Sequence, residues 1–98
     1  MPNRGWRDIV ADVLEIAKTP TNKTSIMYKA VLSYGLLLEY LKMTQDAGLL
    51  EYDSSTGKYR TTDGGFLYLK LFDSINSLVY RKGVRLPHDI SLKRNYAN

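Results

Sequence analysis

The sequence predicts a single domain that is mostly α-helical and carries one small β-hairpin. Apolar residues recur at intervals of three or four through most of the chain, which is typical of amphipathic helices. One turn-rich segment, residues 53–57, is flanked by short runs of strand-forming residues. The chain has 98 residues, of which 44% are hydrophobic and 24% are charged, and this composition is that of an ordinary globular domain.

The first helix is predicted over residues 6–18, where apolar residues follow a helical period. Pro20 stops this helix, because the residue before a proline avoids the helical region. The stripe predicted to face the core consists of Trp6, Ile9, Val10, Val13, Leu14 and Ala17.

A second, short helix is predicted from the N-cap candidates Thr21 and Asn22 to about Lys29. After a short connection, Ser33 is the predicted N-cap of a third helix over residues 34–47. Gly48 is predicted to end the third helix as its C′ residue. The residues of the second helix predicted to face inward are Ile26, Met27 and Ala30, and those of the third are Leu37, Tyr40, Leu41, Thr44 and Ala47.

The hairpin is predicted to consist of strands at residues 49–52 and 58–61, joined by the turn-rich segment. A fourth helix follows it. Two short helices joined by a tight connection and followed by a two-stranded wing describe a winged helix-turn-helix. The predicted order is therefore helix, helix, helix, wing hairpin, helix.

The fourth helix is predicted from Thr62 or Asp63 to about Lys82, a length of roughly 30 Å. A body this small should leave the outer end of such a helix uncovered, which favours a homodimer interface along its apolar stripe. The alternative is that the chain after Gly83 folds back over the stripe. The predicted interface residues are Leu71, Phe72, Ile75, Leu78 and Val79.

Positive charge is concentrated at the end of the chain. The net charge is +4, but residues 1–80 carry nine basic and nine acidic side chains, so the whole excess lies in residues 81–98. This predicts a winged-helix domain over residues 1–83 and a basic tail over residues 84–98. Such a tail suits an anionic partner, and it is equally typical of a solubilising terminus.

The composition argues against several classes of function. The chain has no cysteine, and neither a membrane span nor a signal peptide is expected, so a cytoplasmic location is predicted. His88 is the single histidine and has no clustered partners, so we predict neither a metal site nor a catalytic triad. We therefore expect a non-enzymatic protein that uses no cofactor and no small-molecule ligand.

One stretch of the chain carries a family resemblance, which extends over about residues 6–80. Its residues are Lys23, Thr24, Ile26, Met27, Tyr28, Lys29, Ala30, Leu32, Ser33, Tyr34, Leu37, Tyr40, Leu41, Gly48, Leu49, Leu50, Tyr59, Arg60, Thr61, Thr62 and Gly65. In these positions the chain resembles the archaeal ArnR-like winged helix-turn-helix proteins, small dimeric regulators and chromatin-associated DNA-binding proteins. The resemblance implies binding of double-stranded DNA and dimerisation through the C-terminal helix, and with them a nucleoid-associated location.

In a helix-turn-helix, the second helix of the pair enters the major groove, and here that is the helix over residues 34–47. The predicted DNA contacts are Lys23, Thr24, Lys29, Ser33, Tyr34, Gly35, Leu38, Lys42, Ser55, Lys58 and Arg60. Tyr34 is the tyrosine expected to touch DNA, whereas Tyr28, Tyr40, Tyr59 and Tyr68 are predicted to lie in the core or at its edge.

The function predicted is that of a transcriptional regulator or an architectural DNA binder that acts as a homodimer. The exposed arc of the third helix nevertheless contains Glu39, Lys42 and Asp46 and sums to −1, which is unfavourable for phosphate. That arc favours the alternative, a winged-helix protein–protein interaction module that does not bind DNA.

Overall fold

The computed structural model describes residues 4–80, and these contain four helices and one antiparallel hairpin. The elements are α1 (Trp6–Ile16), α2 (Lys23–Ala30), α3 (Tyr34–Asp46), β1 (Leu50–Asp53), β2 (Lys58–Thr61) and α4 (Asp63–Tyr80). The predicted order of three helices, a wing hairpin and a fourth helix is confirmed. The expectations for Lys82, Gly83, His88 and the tail over residues 84–98 lie outside the described residues.

Side-chain caps explain where α2 and α3 begin. The Asn22 side chain accepts a hydrogen bond from the Ser25 amide at 2.8 Å, and the Ser33 hydroxyl accepts one from the Leu36 amide at 3.2 Å. Both contacts satisfy amide groups that the start of a helix leaves unpaired. Gly48 has a φ of +77° and ends α3, as predicted.

The core forms around α1, which packs against α2, α3, α4 and β2. The periodicity of α3 predicted its buried face correctly except for Ala47, which lies past the last turn and is exposed. Trp6 was also predicted to be buried, but it stands at the first position of α1 and half of its surface is exposed. The buried apolar residues are Val10, Ala11, Val13, Leu14, Ala17, Ile26, Ala30, Leu32, Leu37, Tyr40, Leu41, Leu50 and Leu69.

The hairpin has one apolar and one charged face, because side chains alternate along a strand. Its antiparallel register places Leu50 opposite Thr61 and Tyr52 opposite Tyr59 on one face. The first of these pairs is buried, so this face begins in the core and continues outward to the two tyrosines. The residues of the charged face are Glu51, Asp53, Lys58 and Arg60.

Two backbone hydrogen bonds between Thr21 and Tyr59, of 3.0 and 2.7 Å, join β2 to the segment just before α2. The Thr61 hydroxyl adds a buried bond of 2.6 Å to the Leu14 carbonyl oxygen. The hairpin is therefore fixed along its inner half to α1 and to the segment that leads into α2.

The connection between α2 and α3 contains a strained residue. Val31 has φ 57° and ψ 60°, in the left-handed region that β-branched residues avoid. The side chain is 70% exposed, so burial offsets little of the strain. The Arg4 guanidinium holds the turn in place, since it donates to the Val31 carbonyl oxygen at 3.0 Å and pairs with Asp12 at 2.7 Å.

Replacing Val31 with glycine should stabilise the protein. The left-handed conformation costs an L-residue about 1–2 kcal/mol, and glycine avoids this cost while losing more chain entropy on folding. We expect the free energy of unfolding to rise by about 0.5–1 kcal/mol, measured by urea denaturation. Val31→Ala, which keeps the Cβ atom, is the control and should gain less. A glycine variant less stable than the parent would contradict this account of the turn.

Candidate nucleic-acid interface

The first turns of α2 and α3 lie close together beside the hairpin. The Lys23 Nζ atom lies 5.7 Å from the centroid of the Tyr34 ring, which joins the two helix starts. Thr24, Ser33 and Gly35 are exposed around them. A Cβ atom built on Gly35 would meet nothing within 4 Å, so the surface next to Tyr34 is open. Lys29 is exposed at the opposite end of α2.

The outward face of α3 carries Glu39, Lys42 and Asp46, and its one cation is held in an ion pair. The Lys42 Nζ atom pairs with the Asp46 carboxylate at 2.9 Å, and this hydrogen bond raises the pKa of Lys42 above its ordinary value. Leu38 is exposed on the same helix, as its predicted role requires. The predicted phosphate contact Lys42 is therefore accessible, but it already has an anionic partner.

The charged face of the hairpin has a similar arrangement. The Arg60 guanidinium donates to the Glu51 carboxylate across the two strands, and this hydrogen bond raises the pKa of Arg60. At the tip, Ser55 donates from its amide (2.9 Å) and its hydroxyl (2.6 Å) to Asp53, and these bonds lower the pKa of the Asp53 carboxyl. Ser55, predicted to contact DNA, thus directs its hydroxyl to its own turn.

The predicted cations therefore divide into two groups. Within residues 4–80, Lys42 and Arg60 are in ion pairs, whereas Lys23, Lys29 and Lys58 are in none. Each phosphate contact needs a cation or a donor. The unpaired lysines lie at both ends of α2 and on the hairpin, so the positive part of this surface surrounds α3 and does not lie on it.

Two exposed tyrosines were missed by sequence reasoning. Tyr28 was predicted to lie in the core or at its edge, but its position on the outer side of α2 leaves it 72% exposed. Tyr52 was not singled out, and its ring centroid lies 4.8 Å from that of Tyr59 on the apolar face of the hairpin. The sequence did contain a signal that places Tyr52 on the apolar face of the hairpin. Side chains alternate along a strand, so a residue two positions after Leu50 lies on the same face as Leu50. Tyr40 is buried and Tyr59 and Tyr68 are half-buried, as predicted.

The outer part of α4 exposes an apolar row. Leu71, Ile75 and Leu78 are all exposed and recur at intervals of four and three, so they share one face of the helix. Phe72 differs, because it packs against the domain's own core with its ring 6.2 Å from that of Tyr68. Val79 is half-buried.

In the described part of the chain, no helix is long and apolar enough to cross a membrane. Nor do residues 4–80 bring together three His, Cys, Asp or Glu side chains that could hold a metal ion.

Comparison with known proteins identifies the family. A solved structure with a similar fold is that of Sso10a-2, a DNA-binding protein from Sulfolobus solfataricus. It is 24% identical to this chain, with a TM-score of 0.67, over 79% of this chain and 86% of that one. No curated protein matches the chain. A family model described as winged helix-turn-helix matches residues 3–79, and the chain therefore belongs to the winged helix-turn-helix family.

Proposed function

We propose that this protein binds double-stranded DNA as a homodimer, in the cytoplasm and associated with the nucleoid. The observation that carries the proposal is the open first turn of α3, at Tyr34 and Gly35, flanked by a fixed hairpin. In helix-turn-helix proteins this turn of the second helix reaches the base edges. Membership of the winged helix-turn-helix family and the DNA-binding description of the similar Sulfolobus protein support it.

Within that family, the resemblance to the ArnR-like proteins favours a regulator or an architectural DNA binder. Lys23, Lys29 and Lys58 would contact phosphates, and Leu38 would reach a thymine methyl group. These three lysines in each of two protomers would neutralise about six phosphates. A plot of the logarithm of the binding constant against the logarithm of the salt concentration should therefore have a slope of about −5.

The homodimer would form through the outer face of α4. Leu71, Ile75 and Leu78 have the four-and-three spacing of a helix–helix contact, and a two-fold axis is the commonest way for identical chains to cover such a face. Phe72 and Val79, partly covered in the single chain, would lie at the margin of this interface. Two recognition helices would then face one duplex.

Replacing Glu51 with glutamine should strengthen duplex binding. The change removes a negative charge and releases Arg60 from its ion pair, which would add about one phosphate contact per protomer. We expect about threefold to tenfold tighter binding at low salt and a steeper salt dependence, measured by fluorescence anisotropy with a random-sequence duplex.

Asp73→Asn, which makes the same change of charge on α4, is the matched control for Glu51→Gln. It should bind the duplex like the parent protein. Equal affinities for the Glu51 variant and this control would contradict the role of the hairpin. Absence of duplex binding at low salt by the folded protein would contradict the proposed function itself.

A second candidate function has its own supporting observation. Leu36, Leu38 and Met43 are exposed on α3, beside the compensated pair of Lys42 and Asp46. A helix face that exposes apolar side chains and has no net positive charge suits a protein partner better than phosphate. If the folded protein fails to bind duplex DNA, a protein–protein interaction module becomes the better interpretation of α3.

A further inference from the structure

Three tyrosines and one lysine form a continuous row between α3 and the hairpin, which we call the tyrosine strip (Tyr34, Lys23, Tyr59 and Tyr52). At one end, the Lys23 Nζ atom lies 5.7 Å from the Tyr34 ring centroid. At the other end, the rings of Tyr52 and Tyr59 pack with centroids 4.8 Å apart at an angle of 44°.

The middle of the strip connects these two ends. Burial raises the pKa of the Tyr59 phenol above its ordinary value, and the charge of Lys23 opposes that rise. The backbone pairing of Thr21 with Tyr59 brings the segment that leads into Lys23 alongside β2. Lys23 is thus within reach of rings from α3 and from the hairpin.

The strip is held rigidly from behind. Tyr59 is fixed by its two backbone hydrogen bonds to Thr21, only two residues before Lys23. Tyr52 is paired with Tyr59 in the strand register and rests on its ring. A preformed surface loses little side-chain entropy when it binds a ligand.

Tyr34 and Tyr52 nevertheless remain open to solvent, at 54% and 48% exposure. Among residues 4–80, neither hydroxyl group has a protein hydrogen-bond partner, whereas the Tyr68 hydroxyl donates to the Arg7 carbonyl oxygen at 2.9 Å. Tyr68 has the contacts of a structural tyrosine. Beyond the contacts with Lys23 and Tyr59, about half of the surface of Tyr34 and of Tyr52 remains available to a ligand.

We propose that the tyrosine strip is a stacking site for unpaired nucleobases, so that the protein also binds single-stranded nucleic acid. Aromatic rings stack on any base, and a nearby lysine neutralises the adjoining phosphate. Tyr34 is 54% exposed, and a Cβ atom at the next position, Gly35, would meet nothing within 4 Å, so no other element covers this turn of α3. This inference goes beyond duplex binding, because the faces of paired bases are covered by their neighbours in the stack.

The charges around the strip favour bases over phosphates as the source of affinity. Lys42, the one cation of α3, is held by Asp46. The β2 cations Lys58 and Arg60 lie on the other face of the hairpin from Tyr52 and Tyr59. A surface that depended on phosphate alone would leave its cations free. On this surface, the groups that the fold leaves uncommitted are two rings and Lys23.

Fluorescence anisotropy with a labelled thymidine oligomer tests the proposal on the full chain. An abasic oligomer of equal length keeps the phosphates and removes the bases, and we expect it to bind at least tenfold more weakly. Tyr34→Ala and Tyr52→Ala should each weaken binding of the thymidine oligomer by about fivefold to 100-fold, the range found for loss of one stacking ring. The corresponding Phe variants should bind like the parent protein, because stacking needs the ring and not the hydroxyl.

Tyr28→Ala is the matched control, because Tyr28 is also an exposed tyrosine but lies about 140° around α2 from Lys23. It should bind the thymidine oligomer like the parent protein. A uridine oligomer of equal length separates the two sources of unpaired bases. Equal binding of the two oligomers would mean that the protein recognises the base by stacking and does not distinguish the sugars. Tighter binding of the uridine oligomer would identify RNA as the ligand, and tighter binding of the thymidine oligomer would identify DNA.

Two results would overturn the proposal. The first is equal binding of the thymidine and abasic oligomers. The second is undiminished binding by the two Ala variants, each shown to be folded by circular dichroism. Duplex titration of Tyr52→Ala keeps the two functions apart, because Tyr52, unlike Tyr34, is not among the expected duplex contacts. Loss of single-strand binding by this variant with duplex binding intact would assign the strip to unpaired bases.

Discussion

Replacing Gly65 with alanine is expected to destabilise the fold severely. A Cβ atom at this position would overlap the Leu49 carbonyl oxygen and lie 2.5 Å from the Thr61 Cγ2 atom. The carbonyl cannot easily move, because it accepts a hydrogen bond from the Thr62 amide at 3.0 Å. Gly65 is where the start of α4 passes against the beginning of the hairpin, and only a residue without a side chain fits between them.

The expected size of the effect follows from the cost of overpacking. An extra carbon atom in a close-packed site lowers the free energy of unfolding by about 1–3 kcal/mol, and the loss is larger when the backbone must shift to make room. A loss of about 3 kcal/mol would lower the melting temperature by roughly 12–24 °C for a domain of this size. Thermal unfolding followed by circular dichroism measures the shift.

Gly35→Ala is the matched control for Gly65→Ala. It makes the same substitution in a helix where the new Cβ atom meets nothing within 4 Å. Alanine is the better helix former, so this variant should be as stable as the parent or more stable by up to about 1 kcal/mol. If Gly65→Ala behaved like Gly35→Ala, the close approach of α4 to the hairpin would be contradicted.

Local sequence signals were sufficient to predict the order of the elements and most of their boundaries. Asn22 and Ser33 cap the helices that they were predicted to cap, and Gly48 ends α3. These signals act over three or four residues, so they can be recognised without knowledge of the partners in space. The same is true of the buried arc of α3, whose period alone identifies Leu37 and Tyr40.

The interface was less predictable, because its properties depend on contacts between distant residues. Arg60 was named as a DNA contact without its ion pair, which forms because the strand register places Arg60 opposite Glu51, nine residues earlier in the chain. Tyr34 meets Lys23 only because α2 and α3 pack together. Tyr28 is a different case, because it lies two positions, about 200° around the helix, from both Ile26 and Ala30, which were correctly predicted to face inward. The period of α2 therefore contained the signal for its exposure.

Replacing Ile75 with glutamate is expected to convert a homodimer into a monomer. Ile75 lies at the centre of the exposed row on α4 and is itself 61% exposed, so the substitution leaves the domain's own core intact. Full burial of an Ile or Leu side chain contributes about 1.5–3 kcal/mol, and a two-fold interface would bury each of the three apolar residues twice. The glutamate would instead bring two carboxylates together in an apolar contact, which is unfavourable without a partner.

Sedimentation equilibrium measures the expected change in mass, from two chains to one. Asn76→Glu adds the same charge at the next position of α4, about 100° around the helix from Ile75, and it should remain dimeric. A parent protein that is monomeric at micromolar concentration would contradict the dimer directly. A dimeric Ile75→Glu variant would place the interface elsewhere.

The Ile75→Glu variant also tests whether the proposed dimer and DNA binding are coupled. In the described residues of each protomer, only three of the cations predicted to contact DNA are outside ion pairs (Lys23, Lys29 and Lys58), so one copy alone should bind a duplex weakly. Joining two copies makes the second contact intramolecular and typically raises the apparent affinity by about 100-fold or more. We therefore expect the monomeric variant to lose about that factor on a duplex long enough for two sites. It should keep the affinity of the parent protein for a short thymidine oligomer that fits one tyrosine strip. A monomer with full duplex affinity would mean that each domain binds DNA independently, and the apolar face of α4 would then need another explanation.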